Sequence, residues 1–204
     1  MKRYFRELSV AAALAVLLLF LAVAAPAFFQ PQPLLSLLTR EAPTLVVACG
    51  MALVIIARQI DISVGSQFAV CSVCAGLLAS WNWPLAIVLP ASVAVGALLG
   101  AINGALVAGL RLPSIVVTLA TMVTWREGLR WWRQGEFVNL PDGVQWFGLS
   151  QFAGQWVLIA GALGLFLSIA AATKHLAAGR FVYAVGSDAE AARLAGLRPQ
   201  VVTW

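Results

Sequence analysis

The sequence predicts an all-α, polytopic integral membrane protein, and three observations carry that prediction. Of 204 residues, 62% are hydrophobic and 10% charged, where a soluble domain carries about 25% charge. The apolar residues fall into runs of the length needed to cross about 30 Å of hydrocarbon. The basic residues sit between those runs, where they set orientation. They do not form the clustered face that a nucleic acid requires, so the net charge of +5 does not point to nucleic acid as a partner. The expectation is a single transmembrane domain over 1–204, with about six transmembrane helices plus the start of a seventh.

The first apolar run covers 8–29, after Lys2, Arg3 and Arg6. A basic start, an apolar core and Ala-x-Ala sequences also describe a cleaved signal peptide. The length of the run and the further spans after it favour an uncleaved first helix. The stretch 30–40, with Pro31 and Pro33, reads as a short loop, and the second span covers 42–57. Residues 58–66 then interrupt the apolar pattern with Arg58, Gln59, Asp61, Ser63, Gly65 and Ser66, which predicts a broken or re-entrant segment. Span three occupies 67–80 and is short unless part of that segment lies at membrane depth. Trp81, Asn82, Trp83 and Pro84 form an interfacial aromatic turn. Span four covers 85–110, with Gly96, Gly100 and Gly104 as a small-residue stripe that permits close helix packing. Asn103 beside that stripe is a candidate interhelical hydrogen bonder. Arg111 and Pro113 mark a turn, span five covers 114–131, a long loop follows over 134–150, and span six covers 152–173.

An N-terminus on the inner side places Lys2, Arg3, Arg6, Arg58, Arg111, Lys174, Arg180, Arg193 and Arg198 inside. It leaves Arg40, Arg126, Arg130 and Arg133 outside. Nine against four is the bias that the positive-inside rule requires. The segment 174–199 is therefore a cytoplasmic loop.

Within that loop lies a short helix near 188–195. Ser187 and Glu190 have the spacing of a capping box. Asp188 and Glu190 suit the positive end of the helix dipole and Arg193 the negative end. Gly196 supplies a left-handed C-terminal position, and Pro199 blocks continuation. About eight helical residues are marginal alone in water, so the helix needs a surface to dock on, and Ala189, Ala192 and Ala195 allow close approach. An ordinary surface helix between two spans would read the same way.

Asp61 lies between Ile60 and Ile62, and an ionisable residue at membrane depth costs at least about 2.5–3.5 kcal/mol. On a helix it would pair with Arg58; unwound, Ser63 and Gly65 would suit non-helical backbone. It is either a structural or gating element or part of a cytoplasmic turn. Arg126, Glu127, Arg130 and Arg133, interleaved with tryptophans, could offer stacking surfaces to a polar solute, but interfacial anchoring explains them better. Cys71 and Cys74 form a C-x-x-C without a second pair or a nearby His, which is no metal site. His175, the only histidine, reads as an interfacial polar residue. No zinc-protease motif or nucleophile elbow is present. The only lysines are Lys2 and Lys174, so there is no P-loop, and any ATP used must bind another subunit. No catalytic residue or bound cofactor is expected in this chain.

Glu190, Ala191, Ala192 and Gly196 resemble the EAA motif of bacterial ABC-importer permeases. With Gly179, Arg180 and 181–186 before it, the pattern is similar to the ribose/xylose/rhamnose-type sugar permeases. The stretch 60–66 resembles that family's signature, and Asn103, Gly104, Leu112, Pro113, Ile115, Val116, Thr118 and Leu119 match as well. Gly135, Glu136 and Phe137, with the Trp-Arg-rich stretch before them, look most like rhamnose and autoinducer-2 members. The resemblance implies a permease dimer in the bacterial inner membrane, importing a monosaccharide by alternating access. Its partners would be a cytoplasmic ATPase and a periplasmic sugar-binding protein. Gly186, Ser187, Glu190, Ala191, Ala192 and Gly196 carry over to ATPase coupling. Asp61, Ser63, Gly65, Asn103 and Gly104 carry over as signature or gating positions, and no substrate-contacting residue is assigned. Family members continue through several more spans, so the chain reads as a truncated member. Two other readings remain: a secondary transporter or channel using Asp61 as an ion site, and a non-transporting membrane subunit.

Overall fold

The computed structural model describes residues 5–141 and 144–203, and it is helical throughout, with no strand among those residues. Lys2 and Arg3, two of the cations assigned to the inner side, lie outside them, as does the expected start of a seventh span at Trp204. Helix α1 (Phe5–Ala24) is followed by a 3-10 turn (Pro26–Phe29), and then by α2 (Pro31–Ile56), α3 (Val64–Ser80) and α4 (Leu85–Gly104). A π turn (Ala105–Gly109) extends α4, and α5 (Ser114–Arg133), α6 (Gln151–His175), α7 (Ala177–Ser187), α8 (Ala189–Leu194) and α9 (Pro199–Thr203) complete the chain.

Proline placement explains the first differences from expectation. Pro26 ends α1 early, because the residue before a proline is pushed out of the helical region, and Ala25 has φ −142°. The expected loop over 30–40 is helical: Gln30 is extended and Pro31 stands at the first position of α2. First-turn N–H groups have no intrahelical acceptor, so prolines there remove nothing.

Among the described residues, four helices are long and apolar enough to cross a membrane: α1, α2, α4 with its π turn, and α6. This is fewer than the six expected. Helix α3 is a 17-residue apolar helix, and the C-terminal third of α5 carries Arg126, Glu127, Arg130 and Arg133. Both nevertheless run through the bundle beside α4. Ser114 and Thr118 of α5 bond the backbone just before α3, whereas Val138, just beyond α5, packs against Gly76 in the second half of α3. The two helices are therefore parallel, with α4 antiparallel between their ends: Gly96 faces Cys71 and Asn103 reaches Ser63.

Helices α2 and α6 form a second parallel pair. Gln155 of α6, buried to 2% exposure, meets Gln32 and Ser36 at the start of α2. Phe166, Ile169 and Thr173 share an apolar crevice with Leu45 to Ile56 further along. Helix α1 packs against the turn after it and leaves Leu14, Leu17, Phe20 and Val23 exposed, as a lipid-facing helix should.

Candidate functional site

Two polar features stand out from this apolar bundle, and they lie at the same end of it. The first is the break between α2 and α3. Helix α2 closes in a Schellman arrangement: Gln59 N–H donates to the Val54 carbonyl and Arg58 N–H to that of Ile55. Arg58 occupies the left-handed position, φ 57°, that glycine usually takes. This turn carries Arg58 away from Asp61, and the expected ion pair between them does not form; among the described residues Asp61 has no ion pair. The non-helical residues are 57–63, within the expected 58–66 apart from one residue. They double back along α2, because Val64, Gly65 and Phe68 share a crevice of about 390 Å³ with Pro43, Thr44 and Val47. Val47 lies about 13 Å along α2 from its end at 1.5 Å per residue.

Backbone polar groups in such a segment need partners, and side chains supply them. Ile60 N–H donates to Ser114 Oγ (3.2 Å) and Ile62 N–H to Thr118 Oγ1 (3.2 Å). Thr118 Oγ1 lies 3.1 Å from the Ile60 carbonyl and 2.9 Å from that of Ser114. Asp61 Oδ1 accepts from Ser63 N–H (2.8 Å) and from Ser63 Oγ (2.5 Å). Gln67 Nε2 donates to Asp61 Oδ2 (3.1 Å) and to Ser63 Oγ (2.6 Å). The Ser63 hydroxyl has one proton, and it goes to the carboxylate. Asn103 must therefore donate to Ser63 Oγ through Nδ2 (2.8 Å), and its buried Oδ1 is left without a partner.

Asp61 and Asn103 line a cavity of about 250 Å³ together with Gln59, Gly100, Gly104, Ser114, Thr118 and Thr203. The signature positions Asp61, Ser63, Asn103 and Gly104 are thus brought together, and all but Asp61 are buried. Gly65 is not part of this group; it is exposed and faces the α2 crevice. Sequence reading named Thr118 only within a resembling stretch and missed Gln67 and Ser114, ordinary polar residues at helix starts. Their signal was only that a charged, unwound segment beside two apolar helices must find side-chain partners.

The second feature is α8. The capping box predicted at Ser187 does not form: Ser187 is the last residue of α7. Asp188 is the cap, accepting from Glu190 N–H (2.9 Å) and Ala191 N–H (3.0 Å). Glu190 instead pairs with Arg193 (2.6 Å), a fully exposed contact that pushes the Arg193 guanidinium up from its usual value. The helix is six residues, shorter than expected, because α7 consumes the residue on its N-terminal side. A Schellman arrangement closes it, with Leu197 N–H on the Ala192 carbonyl, Gly196 N–H on that of Arg193, and Gly196 at φ 87°. Pro199 does not simply stop the chain but opens α9.

Of α8, only Ala192 is buried; Glu190, Ala191 and Arg193 are exposed, and Leu194 is 78% exposed. Leu194 was not singled out from sequence. Gly186 is buried where α7 crosses the end of α2, so it belongs to the support of α8 and not to its exposed face. At the far end, Arg130 and Arg126 pair with Glu127 on an exposed surface. Trp131 and Trp132 are exposed as well, and Arg133 lies 6.0 Å from the Trp132 ring, the arrangement of an interfacial belt. Cys71 and Cys74 are free thiols.

Comparison with known proteins agrees with this architecture. A family described as "Branched-chain amino acid transport system / permease component" matches residues 34–204. The autoinducer 2 import system permease protein LsrC of Enterobacter sp. (strain 638) is 35% identical over 202 residues, covering 97% of this chain and 58% of the relative. The LsrC protein of Klebsiella pneumoniae subsp. pneumoniae is 36% identical over 193 residues, covering 94% and 56%. That of Shigella flexneri is 34% identical over 204 residues, covering 95% and 57%. The chain thus spans somewhat over half the length of these curated relatives. No solved structure matches it. Apolar helices crossing side by side, a polar break clasped between them and a match over 34–204 lead to one conclusion: this chain is a membrane protein of the branched-chain amino acid transport system permease family.

Proposed function

We propose that this chain is the membrane-spanning permease part of an ATP-driven importer in the bacterial inner membrane, for a monosaccharide or a small sugar-like solute. The observation that carries the proposal is α8. It is a capped six-residue helix with one buried residue, presenting Glu190, Ala191, Arg193 and Leu194 outward from the end where Arg58 and Arg111 also lie. Its position on the basic, inner side and the lack of a P-loop in the sequence support docking to a separate cytoplasmic ATPase. A second permease subunit and a periplasmic binding protein complete the proposed importer. Similarity to relatives named as autoinducer 2 import permeases supports a small, polar, sugar-like cargo.

The test is co-purification of the complete permease with its ATPase. Glu190→Lys replaces the pair with Arg193 by like charges one turn apart, and Leu194→Asp removes the exposed apolar contact. Each is expected to weaken association by about tenfold, as loss of a central interface residue worth above 1 kcal/mol does. Undiminished association and uptake in both variants would sink the reading.

One observation favours a second reading. Asp61 carries a carboxylate with no ion pair among the described residues, on a cavity that Asn103 also lines, as an intramembrane ion site would. Uptake that follows the membrane potential and survives ATP depletion would select it.

A further inference from the structure

The break and α8 are linked through α7, which meets the end of α2 at one glycine. Gly186, in the last turn of α7, is buried against the C-terminal end of α2. A Cβ at Gly186 would lie 1.8 Å from the Ile56 carbonyl oxygen and 3.3 Å from Ala57 Cα. The glycine hydrogen in that direction therefore points at the oxygen, as in the Cα–H···O contacts of closely packed helices. Ile56 and Ala57 are the residues from which the break departs. On its other side, α9 packs on the π turn, α7 and α8, and Thr203 lines the cavity shared by Gln59, Asp61 and Asn103. The helices flanking α8 thus reach both margins of the break: α7 meets Ile56 through Gly186, and α9 places Thr203 on the cavity that Gln59 and Asp61 line.

The break is suited to receive a displacement from them. Residues 60–62 make no helical hydrogen bond, and with Ser63 they hang on side chains of α3, α4 and α5, so movement there repositions three helix ends at once. The second residue of the break, Arg58, is held in a left-handed conformation costing about 1–2 kcal/mol for a non-glycine residue. The other carbonyl contact of this kind, Gly179 against Thr173, lies within the α6–α7 corner and leads nowhere near the break.

We infer that Gly186 is a positioning residue through which movement of α8 reaches the Asp61–Ser63–Asn103 break. This rests on the reading of α8 as the ATPase-docking helix and goes beyond it. A side chain at 186 would force α7 away from α2 by about 1.5 Å to restore a normal C···O separation of about 3.3 Å. Helix α8, with its own cap and closing turn, would be left intact.

The experiment uses the complete permease purified with its ATPase and reconstituted in vesicles, comparing Gly186→Ala and Gly186→Val with wild type. Gly164→Ala serves as control, since a Cβ there meets nothing within 4 Å. A reporter cysteine replaces Thr203, and its labelling rate by a small maleimide is read without nucleotide and after trapping with ATP and vanadate. Both Gly186 variants are expected to retain the ATPase at wild-type stoichiometry. The nucleotide-dependent change in labelling should shrink about 2- to 30-fold, the range in which substitutions along a coupling route act, and Gly164→Ala should match wild type. Wild-type coupling in both Gly186 variants overturns the inference, and so does loss of the ATPase from both, which would make Gly186 part of the docking fold. A wild-type permease that binds no ATPase removes the functional reading itself, a distinct result that takes this inference with it.

Discussion

Asp61 shows how one side chain can organise a segment that has lost its helix. Its carboxylate accepts three hydrogen bonds from Ser63 and Gln67, and through Ser63 it dictates the orientation of Asn103. Asp61→Ala should therefore destabilise the detergent-purified protein by about 1–3 kcal/mol, the cost of stranding buried donors. Asp61→Asn keeps an acceptor for Ser63 and should cost less than half as much by thermal unfolding. Equal losses in the two variants would show that charge, and not the bonding pattern, holds the segment. Gly196 makes a simpler case. At φ 87°, Gly196→Ala should cost about 1–2 kcal/mol, while Gly196→Asn, which tolerates this conformation, should cost less.

Helix α8 separates what spacing specifies from what neighbours decide. Ser187 and Glu190 have capping-box spacing, yet Ser187 ends α7 and Asp188 does the capping. The pattern was satisfied by two residues, and the extent of α7 chose between them. Amide exchange tests the outcome: Asp188→Ala should speed exchange at Glu190 and Ala191 about fivefold, corresponding to a cap of about 1 kcal/mol, and Ser187→Ala should leave both unchanged. The reverse ordering would restore the capping box. Helix α2 gives the same lesson at its N-terminus. Pro31 and Pro33 looked like loop residues, but prolines in a first turn are compatible with helix, and the apolar face against α6 extends the helix over them.

At the scale of the whole molecule, the packing gathers at opposite ends the two groups of charges that the positive-inside rule separates in the sequence. The ends carrying Arg58, Arg111 and α7–α9 gather around the break, while Trp81, Trp83, Trp131 and the loop beyond α5 lie at the opposite end. Single cysteines at Leu194 and at Phe137, both exposed, should label from opposite faces of intact cells: Phe137→Cys with an impermeant maleimide, Leu194→Cys only after permeabilisation. Labelling of both from the same face would refute the arrangement.

The all-α membrane class, the break and the presence of a short helix before Gly196 were legible in the sequence, because hydropathy and glycine act locally. The start of α2 was not, since prolines that suit a loop also suit a first helical turn. What α2 and α3 do on either side of the break was not. The Arg58–Asp61 pair assumed helical spacing, and a left-handed Arg58 removed it. Only the tertiary structure brought Ser114, Thr118 and Asn103 to residues 60–63, and Gly186 to Ile56, since those contacts join residues 40 to 130 positions apart. Unsatisfied backbone in an apolar bundle has to bond whichever polar side chain the packing brings near, and sequence spacing does not encode which one that is.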